Sequence, residues 1–408
     1  MRSEQEVLEV AESFLVSDVA PKAAEIDASP EALRLALKGL CEKGLMALRR
    51  PAEFGGPALS EGAFRHFQEQ VARYSGTLAF LQTQHQSAGS MIAKSDNENL
   101  RHEYLPRMAD GERLVGIGFS QLRRGGPPLM RADPADGGYL LSGHVPWVTG
   151  YSFFPEFVVG ATLPDGSAVF GVVPLGNVDT DVEEELAEFV EATPIVEPSM
   201  HGFLGASSSA VESAFRSESP GRSSRGPGRI RVSQPMKLAA MESALTVTAD
   251  FDDWFLPQRA VCFIQPGDWI KNNDMINIVL QGHFALGCAR GSLDVLRAQA
   301  ESKKLEFVSA AYARLDAELE RCRAATTAEK FGEDGSGNGE QEKLRVRAWA
   351  IDLAVRCAHA AVAASSGAAN AASHPAQRLY REALVYTVSA QTGAIMEATL
   401  ARLLARGE

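Results

Sequence analysis

The sequence predicts an α+β multidomain protein with a helical N-terminal region, a central β region and a helical C-terminal region. Three observations carry this. Apolar residues recur at helical spacing up to about residue 110. Alternation of period two, broken by turn signals, then takes over. Helical spacing with alanine-rich faces returns from Asn273 onward. The boundaries expected are 1–112, 113–258 and 259–408, with a low-complexity insertion at about 177–232 inside the middle region.

The elements follow in order. Ser3 and Glu6 make a capping box ahead of Val7, Val10, Phe14 and Leu15. Ser29-Pro30 places a cap and a first-position proline before Leu33, Leu37, Leu40 and Cys41, and Gly44 is a stop. Phe64, Phe67 and Val71 mark a further helix, and Ala88, Met91 and Ile92 another. Leu114–Phe119 reads as a strand, followed by a loop through Ser120-Gln121-Leu122-Arg123-Arg124-Gly125-Gly126-Pro127-Pro128. A turn at Asp136-Gly137-Gly138 leads to a short strand, Tyr139–Ser142, and on to Trp147-Val148-Thr149-Gly150. Strands at 156–162 and 168–173 flank Leu163-Pro164-Asp165-Gly166-Ser167, a hairpin signal. Residues 205–230 are rich in Ser, Gly, Arg and Pro and read as a flexible insertion. Thr246–Phe255 alternates again and closes on Leu256-Pro257. Helices then start near Ile276 and Leu305, and span 342–364, 375–386 and about 394–406, with a loop at 333–340. Alanine faces allow close helix approach, and short loops favour antiparallel neighbours.

Composition narrows the function. The 408 residues are 45% hydrophobic with a net charge of −12, which argues against nucleic acid as the main partner. Five scattered cysteines without a CxxC pair predict a reduced, intracellular, soluble chain. No apolar run is long enough to span a membrane. The acidic N-terminus is expected to be neither a secretory signal nor a transit peptide, and the C-terminus is not a peroxisomal address. The compartment is left open. No metal cluster, P-loop or Ser-His-Asp constellation stands out, so no metal ligand is assigned.

Trp147 and Thr149 sit two apart, so strand alternation points both the same way. An aromatic face beside a hydroxyl suits a flat, heteroatom-edged ligand, though a core Trp near a surface Thr gives the same spacing.

Trp147-Val148-Thr149-Gly150-Tyr151 resembles the Trp-(Ile/Val)-Thr-Asn-Gly segment of the acyl-CoA dehydrogenase family. Ser120–Gly126 resembles, in eroded form, that family's Thr-Glu-Pro-x-x-Gly-Ser. Pro51-Ala52-Glu53-Phe54-Gly55-Gly56, Tyr104-Leu105-Pro106 with Gly111-Glu112, and the element order extend the likeness along nearly the whole chain. The resemblance implies a C-terminal four-helix bundle, assembly as a homodimer or homotetramer, and FAD as cofactor. The cofactor-binding positions it implies are Phe119, Ser120, Trp147, Thr149, Gly367 and Thr392. Trp147 would pack on the isoalloxazine and Thr149 would bond near N5.

The substrate the resemblance implies is a small molecule of the acyl-CoA kind, oxidised at a CH–CH bond. That chemistry needs a carboxylate to take the α proton. The family's usual position for it holds Ala390, and the minority position holds Asn277, followed by Ile278 where Arg is common. No catalytic residue is therefore assigned. Glu382 reads as a helix N-terminal charge, Glu397 as solvent-facing, His283 as a core histidine and Asp274 as a helix cap. Gly126 stands in place of the family's Ser, and its Arg-x-x-Phe-Gly segment is not recognisable in Lys303-Lys304-Leu305-Glu306-Phe307. Three readings remain: a flavin oxidoreductase lacking the usual base, a monooxygenase relative using reduced flavin, and a non-catalytic scaffold.

Overall fold

The computed structural model describes residues 2–57, 59–175, 228–327 and 339–405. The flexible stretch expected at 205–230 lies outside these residues up to 227, as does most of the loop expected at 333–340.

The N-terminal region contains α1 (Glu4–Phe14), α2 (Ala23–Ala28), α3 (Pro30–Glu42), α4 (Glu61–Tyr74), α5 (Gly76–Ala93) and α6 (Glu98–Tyr104). The capping box forms as expected: the Ser3 hydroxyl accepts from Glu6 N–H, and the Glu6 carboxylate accepts from Ser3 N–H at 2.7 Å. Ser29 caps α3 with Pro30 in the first turn. Helix α5 is buried on most sides yet carries Gln82, His85 and Gln86. Gln82 donates to Gln68 of α4, while Gln86 and His85 tie down connecting segments, as buried polar groups find partners. Gln86 accepts from Leu48 N–H and donates to the Leu45 carbonyl. His85 bridges Met108 and Val115.

The sheet comprises β1 (Val115–Gly118), β2 (Met130–Ala135), β3 (Gly138–Val148), β4 (Glu156–Thr162), β5 (Ala168–Pro174), β6 (Arg229–Val232), β7 (Val247–Pro257) and β8 (Val261–Gln265). Its order is β6-β7-β3-β2-β4-β5-β8, with β1 also on β4. Pairing is antiparallel except β1 and β2 with β4. Both expected turns are present, with Gly137 and Gly166 at φ 75° and 86°.

Four features differ from the sequence expectation. Strand β2 was hidden by Pro134, which removes a ladder donor and argues against a strand. Strand β3 is one 11-residue strand rather than a short one. Arg229–Val232, placed in the insertion, pairs with β7. The sheet also runs past 258, because β8 adds to β5.

The C-terminal region is helical: α7 (Trp269–Ile276), α8 (Leu280–Lys303), α9 (Glu306–Thr327), α10 (Gly339–Ser365), α11 (Pro375–Val388) and α12 (Gly393–Leu404). Helices α8 to α11 pack as a bundle, with α12 on α10. Helix α8 also lies along α4. A Cβ on Gly287 would stand 2.3 Å from the Glu69 carbonyl oxygen, and one on Gly291 2.4 Å from that of Arg73, so only glycine permits this approach.

Glu382 is not an N-terminal charge. It sits mid-helix in α11, wholly buried, paired with Arg378 one turn earlier and accepting from Gly76 N–H at 3.1 Å. Burial pushes its carboxyl above the usual range, with Arg378 pulling the other way. Arg381 pairs instead with Asp27 of α2.

Candidate active site

A cleft forms where the three regions meet. Met91 of α5, Ile117 of β1, Phe263 of β8, Asn273 of α7, Gln281 of α8, Arg347 of α10 and Ile395 of α12 all line it. Phe119 and Thr392 line it too, as do Ala390 and Asn277, so the cleft gathers two of the expected cofactor positions and both expected base positions.

Local structure sets each of these. Thr392 caps α12 by accepting from Ile395 N–H at 3.3 Å. Ala390 lies in the connection between α11 and α12 at φ 48°, a left-handed conformation that costs an alanine on the order of 1 kcal/mol. The Asn277 amide is turned back on its own chain, donating to the Asn273 carbonyl at 2.8 Å.

The other four expected positions are outside the cleft lining. Ser120 opens a short 3₁₀ turn directly after Phe119. Gly367 is exposed in the turn after α10, whose end at Ser365 is about 27 Å along the helix from Arg347 at 1.5 Å per residue. Trp147 and Thr149 do not share one environment. The indole is 40% exposed, whereas Thr149 is 2% exposed and shares a 3.1 Å hydroxyl contact with Thr246. The ladder shifts register between Val145 and Val148, and Thr149 lies past the strand end, so simple alternation fails there. Trp147 still belongs to the strand beside Phe119: a Cβ on Gly118 would touch Val145 and Val148 at 3.5 Å.

The charged groups of the cleft were not legible as a motif. Asp274 is not a cap. It lies within α7 and takes two bonds from Arg123, at 2.7 and 2.8 Å, which occupy both its oxygens. Arg49 pairs with Glu61. Arg347 is 1% exposed and donates to the carbonyls of Ile278 and Ser389 at 3.2 and 2.9 Å. Its only sequence signal is an arginine inside the buried run of Val346, Ala348, Ala350 and Ile351. Glu397 is exposed as expected, and His283 is buried against Glu69 at 3.4 Å.

A family model described as Acyl-CoA dehydrogenase, N-terminal domain, matches residues 1–112. The comparisons support an acyl-CoA dehydrogenase-like family. Mitochondrial isovaleryl-CoA dehydrogenase of Pongo abelii is 27% identical over 154 residues, 36% of each chain. The 3-(aryl)acrylate reductase of Clostridium sporogenes is 21% identical over 170 residues, 41% of this chain and 45% of that one. The match to these curated relatives thus spans less than half of their length. Among solved structures, butyryl-CoA dehydrogenase from Megasphaera elsdenii superposes with a TM-score of 0.71 at 16% identity over 98% of both chains. That likeness is one of fold. Among the described residues, no helix is long and apolar enough to cross a membrane.

Proposed function

We propose that the protein is an FAD-dependent oxidoreductase acting on a CH–CH bond of an acyl-CoA-like small molecule, without the carboxylate base usual in its family. The observation that carries this reading is the cleft itself, which brings Phe119 of the central region together with Asn277, Ala390 and Thr392 of the C-terminal region. The residues fit a flavin. An indole left 40% exposed on the strand beside Phe119 offers a flat apolar surface, and Thr392 offers a hydroxyl at a helix start. Phe119, Ser120, Trp147 and Thr392 would hold the group, with Thr149 fixing the strand end through Thr246. When bound, FAD supplies a two-electron acceptor. Met91, Ile117, Phe263 and Ile395 give the cleft an apolar wall.

The test is spectroscopic. The purified protein is expected to carry FAD or to take it up. Trp147→Ala should weaken flavin binding about tenfold or more, the loss of roughly 1.5 kcal/mol of aromatic contact, with helical content unchanged. Unchanged flavin affinity in that variant would move the site elsewhere. Acyl-CoA thioesters added without oxygen should bleach the flavin poorly, because Ala390 and Asn277 cannot accept a proton. Fast bleaching would show that another base works there. Oxygen consumption with a supplied flavin reductase would select the monooxygenase reading instead.

We further infer a homodimer or homotetramer. Tyr380, Leu384 and Val388 form an exposed stripe on α11, and Met396, Leu400 and Leu403 another on α12. Contiguous exposed apolar faces of this kind mark interaction surfaces. Light scattering should give at least twice the chain mass, and Leu384→Glu should lower it. A monomeric parent protein would remove the inference.

A further inference from the structure

Arg347 is a buried cation without a carboxylate partner. Both guanidinium bonds go to neutral backbone carbonyls, and its Nε has no hydrogen-bond partner. Among the described residues, no acid pairs with it. Isolated buried charges are costly, and proteins pair them or use them. Burial pushes its pKa down from 12.5 to about 9, so the charge persists at neutral pH.

The surroundings of Arg347 share its sign. The cleft lining holds the cations Arg49, Lys94, Arg123 and Arg347 and one acid, Asp274. Arg49 and Arg123 are neutralised by Glu61 and Asp274. Neither Lys94, exposed at the end of α5, nor Arg347 forms a salt bridge among the described residues. Arg347 bonds to the residue just before Ala390 and to the residue just after Asn277. The positions where a general base was expected are therefore flanked by an unneutralised guanidinium.

We propose that Arg347 is a substrate-binding residue that receives a carboxylate, so that the ligand of this cleft is a small organic acid or carries a free acid group. The inference rests on the cleft's being the substrate side of a flavin site, but the binding itself is measurable without flavin. A guanidinium presents N–H donors in a fixed fork matched to a carboxylate. Burial away from water strengthens the contact. An amide of the same shape brings no charge and leaves the cation uncompensated.

Butanoate and butanamide, alike in size, serve as probes in calorimetric titration of the full chain, with the flavin content of each sample read from its visible absorbance. Butanoate should bind roughly ten- to a hundredfold more tightly than butanamide, the factor that a charge-assisted hydrogen bond supplies. Arg347→Gln should abolish that preference. Because Arg347 also joins two chain segments, that variant risks misfolding, so Ala390→Asp is the second arm. Aspartate tolerates the left-handed backbone at this position, and its carboxylate supplies Arg347 with an internal partner. Ala390→Asp should therefore keep the fold, raise Tm and lose the butanoate preference. Equal affinity for acid and amide, or a preference that survives Ala390→Asp, overturns the proposal. Butanoate binding in a chain that takes up no flavin leaves this inference standing and sinks the flavin reading. A flavin-loaded chain indifferent to the acid does the reverse.

Discussion

Arg378→Met is expected to destabilise the protein by about 3–5 kcal/mol, the range for removing one partner of a buried ion pair. Glu382 is wholly buried, and its second carboxylate oxygen has no hydrogen-bond partner. Without Arg378 its remaining bond is the one from Gly76 N–H. The packing gives it no room to move: a Cβ on Gly76 would already stand 2.6 Å from the Glu382 carboxyl carbon. The Arg378→Met/Glu382→Leu double variant should recover a large part of the loss, because no charge is then left unmatched. Urea unfolding of the two single variants and the double variant measures the coupling. Losses that simply add would show that the pair does not act as one unit.

Stability should also fall by about 3 kcal/mol between pH 6.5 and pH 4 on account of His85 alone. Val115 N–H donates to its Nδ1 at 3.0 Å, so the ring proton sits on Nε2 and is donated to the Met108 carbonyl at 2.8 Å. Burial holds the folded pKa down at about 4, against 6.5 for an unperturbed histidine. Through this window the unfolded chain takes up a proton that the folded chain refuses. The contribution is therefore complete above pH 6.5 and is lost as the pH drops towards 4. His85→Gln lowers stability at every pH but should remove this part of the slope. Denaturant midpoints of both proteins at several pH values between 4 and 7 give the difference. Parallel slopes would mean that the histidine is protonated in the fold.

Local chemistry made much of the fold legible. The Ser3 box, the Ser29-Pro30 start and the Gly137 and Gly166 turns each depend on a few neighbouring residues, and each is present. Strands β2 and β8 were missed for the opposite reason. Met130–Ala135 and Val261–Gln265 are short, carry a proline or follow one, and take their identity from the strands beside them. The cleft shows the same divide. Phe119 and Thr392 came from a resemblance, and both face it. The bonding of Asp274 to Arg123, 151 residues away, and the isolation of Arg347 are properties of three-dimensional neighbours. The different surroundings of Trp147 and Thr149 arise at a register shift that no alternation rule sees.

The glycine-seated contact between α4 and α8 has a bearing on how this chain tolerates being cut. The stretch matched by the family model ends at residue 112, yet the face of α4 that meets Gly287 and Gly291 is completed by a helix more than 200 residues later. A seam in the alignment is thus not a seam in the molecule. Anyone shuffling the first region between relatives would have to transplant its distant counterpart with it, or leave a shape-matched groove with nothing to fill it.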